Sequence, residues 1–397
     1  MTESANDNRH ISGRLRLEGV DVLRGLSVLL VLLHHIHLRF WLNDYDVNGA
    51  LPKPLNQVLF WSGYYAVIAF FVISGFLITR LSVRRWQTVA NIHVREFYLM
   101  RFARIAPCLI FVLVVLSVLD LVGARGFTIE PEVSSLGRAV GAALTFHINW
   151  LEGHHGYLPG GWDILWSLSV EEIFYLVFPL LCVLLRSERL LVWPLLGLIL
   201  IGPINRAWSA DQDPWGDYAY LSCMDGIAFG CLAALVCTRY RFSRRTLRIG
   251  LAGGAAAACL VLIFCNEDQH TGLSRFGLNV TALELGIALL LVALGSGVAN
   301  AAWSRGTGWL RLIGRCSYEI YLFHMFVVLG LMNLFKLVNA APSTIPVWYF
   351  AMLSLSVFLG CVVSRFYSEP FNRLLRYRYL RTGSEAKVIT EAPSISR

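Results

Sequence analysis

The chain has 397 residues, of which 56% are hydrophobic and 15% charged, and its formal net charge at pH 7 is +8. This composition is too apolar for a soluble domain of that size, so it predicts an all-α, polytopic integral membrane protein. The nine cysteines occur singly and form no C-x-x-C pair, which disfavours a disulfide framework and a zinc site.

Ten apolar runs are long enough to cross a bilayer as helices. They are predicted at about residues 20–40, 58–80, 102–122, 164–186, 190–206, 218–238, 246–264, 279–300, 316–338 and 345–368. Most Lys and Arg residues fall in alternate connecting segments, so the positive-inside rule places both termini in the cytoplasm. No nucleic-acid partner is needed to explain the charge. The chain divides into an N-terminal tail (1–19), a membrane domain (20–370) and a C-terminal tail (371–397).

The first span contains two ionisable side chains, Arg24 and His35, in an otherwise apolar helix. They are eleven positions apart, which is about three helical turns, or roughly 16 Å along one helix face. Because ionisable side chains are costly in hydrocarbon, both are expected to face an internal cavity. A neutral imidazole at that depth can act as a general base near neutral pH. The alternative is a histidine that is only hydrogen-bonded inside the bundle.

The neighbouring histidines do not indicate a metal site. His34, His35 and His37 lie on one helix, where adjacent side chains point about 100° apart and cannot all converge on one ion. No metal is therefore predicted.

The second and third spans add a serine and a pair of arginines. Ser74 precedes Gly75, and such small residues favour close helix packing. Arg101 and Arg104 open the third span three residues apart on one face, where two guanidiniums form a ready phosphate site. Arginines at a helix edge also follow the positive-inside rule, so spacing alone leaves both interpretations open. Arg24 lies at the same level and would complete a three-arginine cluster.

The fourth span begins with Trp166-Ser-Leu-Ser-Val-Glu-Glu172. Ser167 and Glu171 are four residues apart and share a face, whereas Glu171 and Glu172 point in different directions. In the predicted topology this helix enters from the outer side, where a carboxylate can orient an imidazole or bind a sugar hydroxyl. Acidic residues at a helix start also interact favourably with the helix dipole, which is the purely structural alternative.

The ninth span opens with Ser317-Tyr-Glu-Ile-Tyr-Leu-Phe-His324. Ser317, Tyr321 and His324 follow one another at spacings of four and three residues. They therefore share a helix face and are expected to line the interior of the bundle.

Together these segments resemble the membrane-bound acyltransferase-3 family, which includes bacterial O-antigen and Nod-factor O-acetyltransferases. The resemblance covers about residues 17–371, and its elements occur in the family's order. They are Arg24 with His35 (basic-x10-His), Phe71–Phe76 (F-x-x-S-G-F), Arg101–Arg104 (R-x-x-R), Trp166–Tyr175 (W-S-L-x-V-E-x-x-F-Y), Ser317–His324 (S-Y-x-x-Y-L-x-H) and the acidic-Pro pair Glu369-Pro370.

The resemblance implies an enzyme of the bacterial cytoplasmic membrane with no permanently bound cofactor. It would take an acyl group, usually acetyl, from cytoplasmic acyl-CoA and place it on a hydroxyl of a glycan or glycolipid across the bilayer. Two departures stand out: Ile173 replaces the family's usual Gln, and no SGNH esterase-like domain is present. The enzyme is therefore expected to act alone or with a separate periplasmic esterase-like or glycan-assembly protein.

The resemblance also assigns roles. Arg24, Arg101 and Arg104 would bind the phosphates of acyl-CoA. His35 would be the general base, and Glu171 would orient its imidazole or bind the acceptor. The other candidates are Ser74, Trp166, Ser167, Ser169, Glu172, Tyr321, His324 and Glu369. Ser74 and Ser169 are nominal nucleophiles for a covalent intermediate, but direct transfer is preferred because the sequence assigns neither serine a partner base.

Two alternative functions remain. The same core could acylate a macrolide or another small lipophilic alcohol. A proton-coupled transporter or flippase would use the intramembrane charges as a proton or substrate path and would move its substrate unchanged. The lack of an obvious internal repeat disfavours a transporter built from inverted halves.

Overall fold

A computed structural model describes residues 17–45, 47–264, 272–297 and 306–390 of the chain. In these ranges the structure is helical, without strands, and ten helices are long and apolar enough to cross a membrane. They are α1 (Glu18–Trp41), α2 (Gly63–Trp86), α3 (Val94–Leu121), α4 (Trp166–Leu185), α5 (Glu188–Trp208), α6 (Tyr220–Arg239), α7 (Arg244–Phe264), α8 (Leu278–Gly295), α9 (Ser317–Leu337) and α10 (Ile345–Val363). The predicted all-α fold with ten spans is confirmed.

Helix α2 lies at the centre of the bundle. It packs against α1, α6 and α8, while α1 also packs against α9 and α10. Shorter helices occupy the connections: Lys53–Phe60, Leu136–Leu144, Ile148–His155, Gly160–Asp163, Trp215–Tyr218 and Gly308–Arg315. After α10, a π-helical turn over Ser364–Ser368 leads into α11 (Glu369–Thr390), which packs against α3.

A buried ion pair joins α5, α6 and α8. Arg206 of α5 forms two hydrogen bonds with Asp225 of α6, of 2.8 and 3.0 Å, and a third of 2.7 Å with Thr281 of α8. Arg206 is 6% exposed and Asp225 is fully buried. A charge at this depth is tolerated when it is paired and its donors are satisfied, so this cluster fixes the relative positions of three spans.

The contact between α2 and α6 depends on two glycines. A Cβ atom added to Gly75 would lie 1.9 Å from the carbonyl oxygen of Ile227, and one added to Gly230 would lie 1.9 Å from that of Val72. The two backbones therefore touch directly, as the small residues of the second span predict. This contact places Ser74, the neighbour of Gly75, at a fixed position in the bundle.

We expect a Gly75→Ala variant to be destabilised by about 1–3 kcal/mol, because the new methyl group must push two backbones apart. The measurement is the thermal unfolding midpoint of the purified protein in detergent. Gly253→Ala is the matched control, since a Cβ atom at this helical position in α7 meets no heavy atom within 4 Å. Equal midpoints for the two variants would contradict the packing argument.

Candidate functional site

A cavity of about 750 Å³ lies among α1, α2, α3, α4, α9 and α11. Exposed arginines mark its mouth, whereas buried Ser167 and Glu172 mark its inner end. The structure brings many of the predicted site residues together around this space: Arg24, Ser74, Arg101, Arg104, Ser167, Glu171, Glu172 and Tyr321. Residues from distant parts of the sequence thus form one site.

The three predicted phosphate-binding arginines differ in their partners. Arg104 donates to Glu319 at 2.6 and 3.4 Å, and Glu319 is fully buried. Within the described residues, Arg24 and Arg101 form no ion pair, and the Arg101 guanidinium lies 4.5 Å from the ring centre of Tyr175. The charge of Arg104 is therefore compensated by protein, while Arg24 and Arg101 remain able to attract an anion into the cavity.

Glu171 accepts hydrogen bonds from the hydroxyl groups of Ser74 and Tyr175, whose oxygen atoms also lie close to each other. Glu171 is the sixth residue of α4, which begins at Trp166 as the sequence predicts. The expectation that Glu171 orients His35 is corrected, since its carboxylate is engaged by Ser74 of α2 and by Tyr175, one turn along α4. Both Glu171 and Glu172 line the cavity.

His35 forms a hydrogen-bonded pair with His324 of α9. His35 Nδ1 lies 3.0 Å from the Val31 carbonyl oxygen and 3.2 Å from His324 Nε2, and His324 Nδ1 lies 2.6 Å from the Tyr321 carbonyl oxygen. Carbonyl oxygens only accept, so this network assigns a hydrogen to both Nδ1 atoms. The one hydrogen on His35 Nδ1 is then shared between the Val31 carbonyl oxygen and His324 Nε2, which leaves His35 Nε2 with a free lone pair.

Tyr321 separates the cavity from this histidine pair. It lines the cavity, and its hydroxyl group lies 2.7 Å from Ser167 Oγ and donates to the Ile164 carbonyl oxygen at 2.9 Å. Its ring centre is 5.9 Å from that of His324. His35 and His324 do not themselves line the cavity, so the expected open path from Arg24 towards His35 ends at Tyr321 and Ser167.

Besides His35 and His324, three predicted site residues lie outside the cavity. Trp166 stacks on Tyr218 with ring centres 4.1 Å apart. Ser169 accepts a hydrogen bond from the Ile148 backbone at 3.1 Å, so this hydroxyl tethers a connecting helix and is not placed to attack a substrate. Glu369 forms an exposed ion pair with Arg373 at 2.8 Å. By contrast, Ser74 has a carboxylate partner that the sequence did not assign.

A second polar cluster lies beyond His35 on the side away from Arg24. Arg39 follows His35 by one turn of α1, and its charge interacts with Asp163, which accepts from the Tyr218 hydroxyl at 3.0 Å. Glu152 is fully buried nearby, and burial raises the pKa of its carboxyl well above the usual range, with a further contribution from Asp163. Sequence analysis missed this cluster, although the i, i+4 spacing of His35 and Arg39 was a signal.

Comparisons with known proteins identify the family to which the sequence is similar. The sequence matches a family model described as an acyltransferase domain over residues 17–365. It is 26% identical over 340 residues to the peptidoglycan O-acetyltransferase OatA of Listeria monocytogenes, covering 79% of this chain and 50% of that protein. It is 23% identical over 381 residues to the O-acetyltransferase OatA of Staphylococcus aureus, covering 90% and 57%. The chain thus spans about half the length of these relatives. No solved structure matches it.

We expect Arg104→Ala to destabilise the protein, because it leaves the buried Glu319 carboxylate without its partner, at a cost on the order of 3 kcal/mol. Arg101→Ala removes the same charge three residues earlier in α3 but leaves no carboxylate unpaired. Unfolding midpoints in detergent should therefore fall for Arg104→Ala and stay near wild type for Arg101→Ala. The reverse order would show that Arg104 is not a structural residue.

Proposed function

The chain belongs to the acyltransferase family that it matches from residue 17 to residue 365, and we propose that it transfers an acyl group, acetyl in the simplest case, from cytoplasmic acyl-CoA to a hydroxyl of a glycan or glycolipid across the membrane. Its relatives are named as O-acetyltransferases, one of them for peptidoglycan, which supports both acetyl and a glycan acceptor. A bacterial cytoplasmic membrane is the location that this activity requires.

The observation that carries the proposal is the cavity, which extends from arginines that form no ion pair within the described residues to Tyr321, and the histidine pair lies behind Tyr321. The planar guanidinium groups of Arg24 and Arg101 can each donate two parallel hydrogen bonds to a phosphate of acyl-CoA. These arginines belong to the Arg-rich ends of α1 and α3, which the positive-inside rule assigns to the cytoplasm, where acyl-CoA is made available. The neutral pantetheine arm would extend along α1 towards His35.

In the proposed reaction, His35 Nε2 removes the proton from the acceptor hydroxyl as the oxygen attacks the thioester carbonyl. The tetrahedral intermediate then expels the CoA thiolate, which takes the same proton back from the His35 imidazolium. An ester bond forms, a thioester bond breaks and no proton is gained or lost. The acceptor would approach from the Arg39–Asp163 side, since the donor occupies the other side of His35.

Two further groups support this step. His324 Nε2 accepts the hydrogen on His35 Nδ1, so it fixes the orientation of the ring and stabilises the imidazolium as it forms. The hydroxyl groups of Tyr321 and Ser167 lie at the boundary between cavity and histidine pair, where donors to a developing oxyanion are needed. The acyl end of the donor reaches His35 once the Tyr321–Ser167 hydrogen bond opens.

The experiment that tests the function compares mass spectra of surface glycans from cells with and without the gene. A mass difference of one acyl group per modified sugar, together with loss of labelled acetyl transfer from acetyl-CoA by isolated membranes, is the expected result. Identical glycans and unchanged acetyl-CoA in both samples would refute the proposal and favour a transporter.

We expect His35→Ala to reduce acetyl transfer by about 10²–10⁴-fold, because the general base is removed. The readout is incorporation of labelled acetyl into glycan by membranes containing equal amounts of each protein. His34→Ala is the control, since His34 donates to the Phe60 carbonyl oxygen at 2.9 Å and is not part of the histidine pair. Activity of His35→Ala close to that of His34→Ala would remove His35 from the mechanism.

His324 acts through His35, so its loss should affect kcat and not KM. We expect His324→Ala to lower kcat by about 10–100-fold, which corresponds to one hydrogen bond to a charged group. The KM for acetyl-CoA should stay within about twofold of wild type. His324→Gln should recover part of the lost rate, because the amide oxygen can accept from His35 Nδ1. A Gln variant no better than Ala, or a changed KM with normal kcat, would argue for a purely structural role.

A further inference from the structure

The helix that follows the last membrane span forms part of the cavity wall. Helix α11 packs against α3, and Arg376 of α11 lines the same cavity as Arg24 and Arg101. The charges that act most strongly on Arg376 are those of Arg101, Arg104 and Arg85. A residue from the segment after residue 370, predicted from sequence to be a tail, is therefore part of the site.

The arginines of the cavity are not all compensated by carboxylates. Arg85 pairs with Glu96 at 3.0 Å and Arg104 pairs with Glu319 at 2.6 Å. Arg24, Arg101 and Arg376 form no ion pair within the described part of the chain. Like charges that face one cavity repel each other, so the arrangement favours a ligand that carries more than one negative charge.

The position of Arg376 indicates which part of such a ligand it would contact. Arg376, Arg84 and Arg85 are exposed at the mouth, whereas Ser167 and Glu172 at the inner end are nearly fully buried. Coenzyme A carries a pyrophosphate and a 3′-phosphate at its nucleotide end and a neutral arm at its thioester end. When the thioester lies near His35, the nucleotide end lies at the mouth.

We propose that Arg376 binds the 3′-phosphate of acyl-CoA, so that α11 is one wall of the donor site. This inference rests on the proposed function and adds a residue outside the family match, which ends at residue 365. A guanidinium binds a phosphate dianion with two parallel hydrogen bonds, which makes it selective for this group. Arg24 and Arg101, deeper in the cavity, then bind the pyrophosphate.

The same phosphate chemistry is offered by an anionic lipid headgroup. Helix α11 exposes apolar side chains, with Phe371, Leu374 and Tyr377 between 43% and 63% exposed, as in a helix that lies at a membrane surface. The test must therefore separate a nucleotide phosphate from a lipid phosphate.

The experiment measures equilibrium binding of CoA and 3′-dephospho-CoA to the full-length protein in phosphatidylcholine nanodiscs. Arg376→Ala should weaken CoA binding about tenfold or more and leave 3′-dephospho-CoA binding unchanged, because only CoA has the lost contact. Arg373→Ala is the matched control: Arg373 lies on the same helix, is exposed and pairs with Glu369. It should change neither affinity by more than about twofold.

The other outcomes overturn the inference in distinct ways. Equal weakening of CoA and 3′-dephospho-CoA by Arg376→Ala would show that the 3′-phosphate is not the group bound. If Arg376→Ala and Arg373→Ala weaken CoA binding equally, the loss reflects the general positive charge of α11 and not a contact made by Arg376. A lipid ligand would show itself when phosphatidylglycerol is added to the nanodiscs. If the lipid weakens the binding of CoA and of 3′-dephospho-CoA equally in wild type, but not in Arg376→Ala, the ligand of Arg376 is a lipid phosphate. Wild-type protein that binds neither nucleotide would refute the proposed donor itself.

Discussion

The cost of placing charge in hydrocarbon organises this molecule. Arginine, glutamate and histidine side chains occur along spans that are otherwise apolar, and each must be paired or face an internal space. Arg206 pairs with Asp225 between the consecutive spans α5 and α6, and Arg104 pairs with Glu319 between α3 and α9, which are distant in sequence. Arg24 and Arg101 face an internal space instead, because they line the cavity. The distinction separates residues that hold the bundle together from residues that are available to a ligand.

The histidine pair follows from the same constraint. Two imidazoles buried side by side are stable when both are neutral, and carbonyl oxygens of α1 and α9 fix which nitrogen of each ring carries its hydrogen. The hydrogen bonds run from His35 to His324 and from His324 to the Tyr321 carbonyl oxygen. This chain leaves one nitrogen lone pair of the two rings free, on His35 Nε2. If His35 is the base, as proposed, it needs no carboxylate partner, and Glu171 is engaged elsewhere, with Ser74 and Tyr175.

The sequence predicted the features that depend on local spacing. Ten apolar runs gave ten spans, and Arg24 lines the cavity as expected for an ionisable side chain in an apolar helix, whereas His35 does not. What the sequence could not give were contacts between distant residues: Arg104 with Glu319, Ser74 with Glu171, His35 with His324. Helical periodicity says which side chains share a face but not which helix that face meets, so the partners of Glu171 and the contribution of Arg376 required the three-dimensional arrangement.

The arrangement also suits a reaction whose two substrates cannot cross the membrane. Moving a phosphate-bearing nucleotide or a sugar polymer through hydrocarbon costs many kcal/mol, because each must lose its hydration. A donor held by arginines at one membrane edge needs to insert only its neutral arm, and an acceptor at the Arg39–Asp163 cluster needs to insert only one hydroxyl group. In the proposed reaction, chemistry at the depth of His35 would join two compartments without transporting either polar molecule, and the Tyr321–Ser167 hydrogen bond would open when the donor binds.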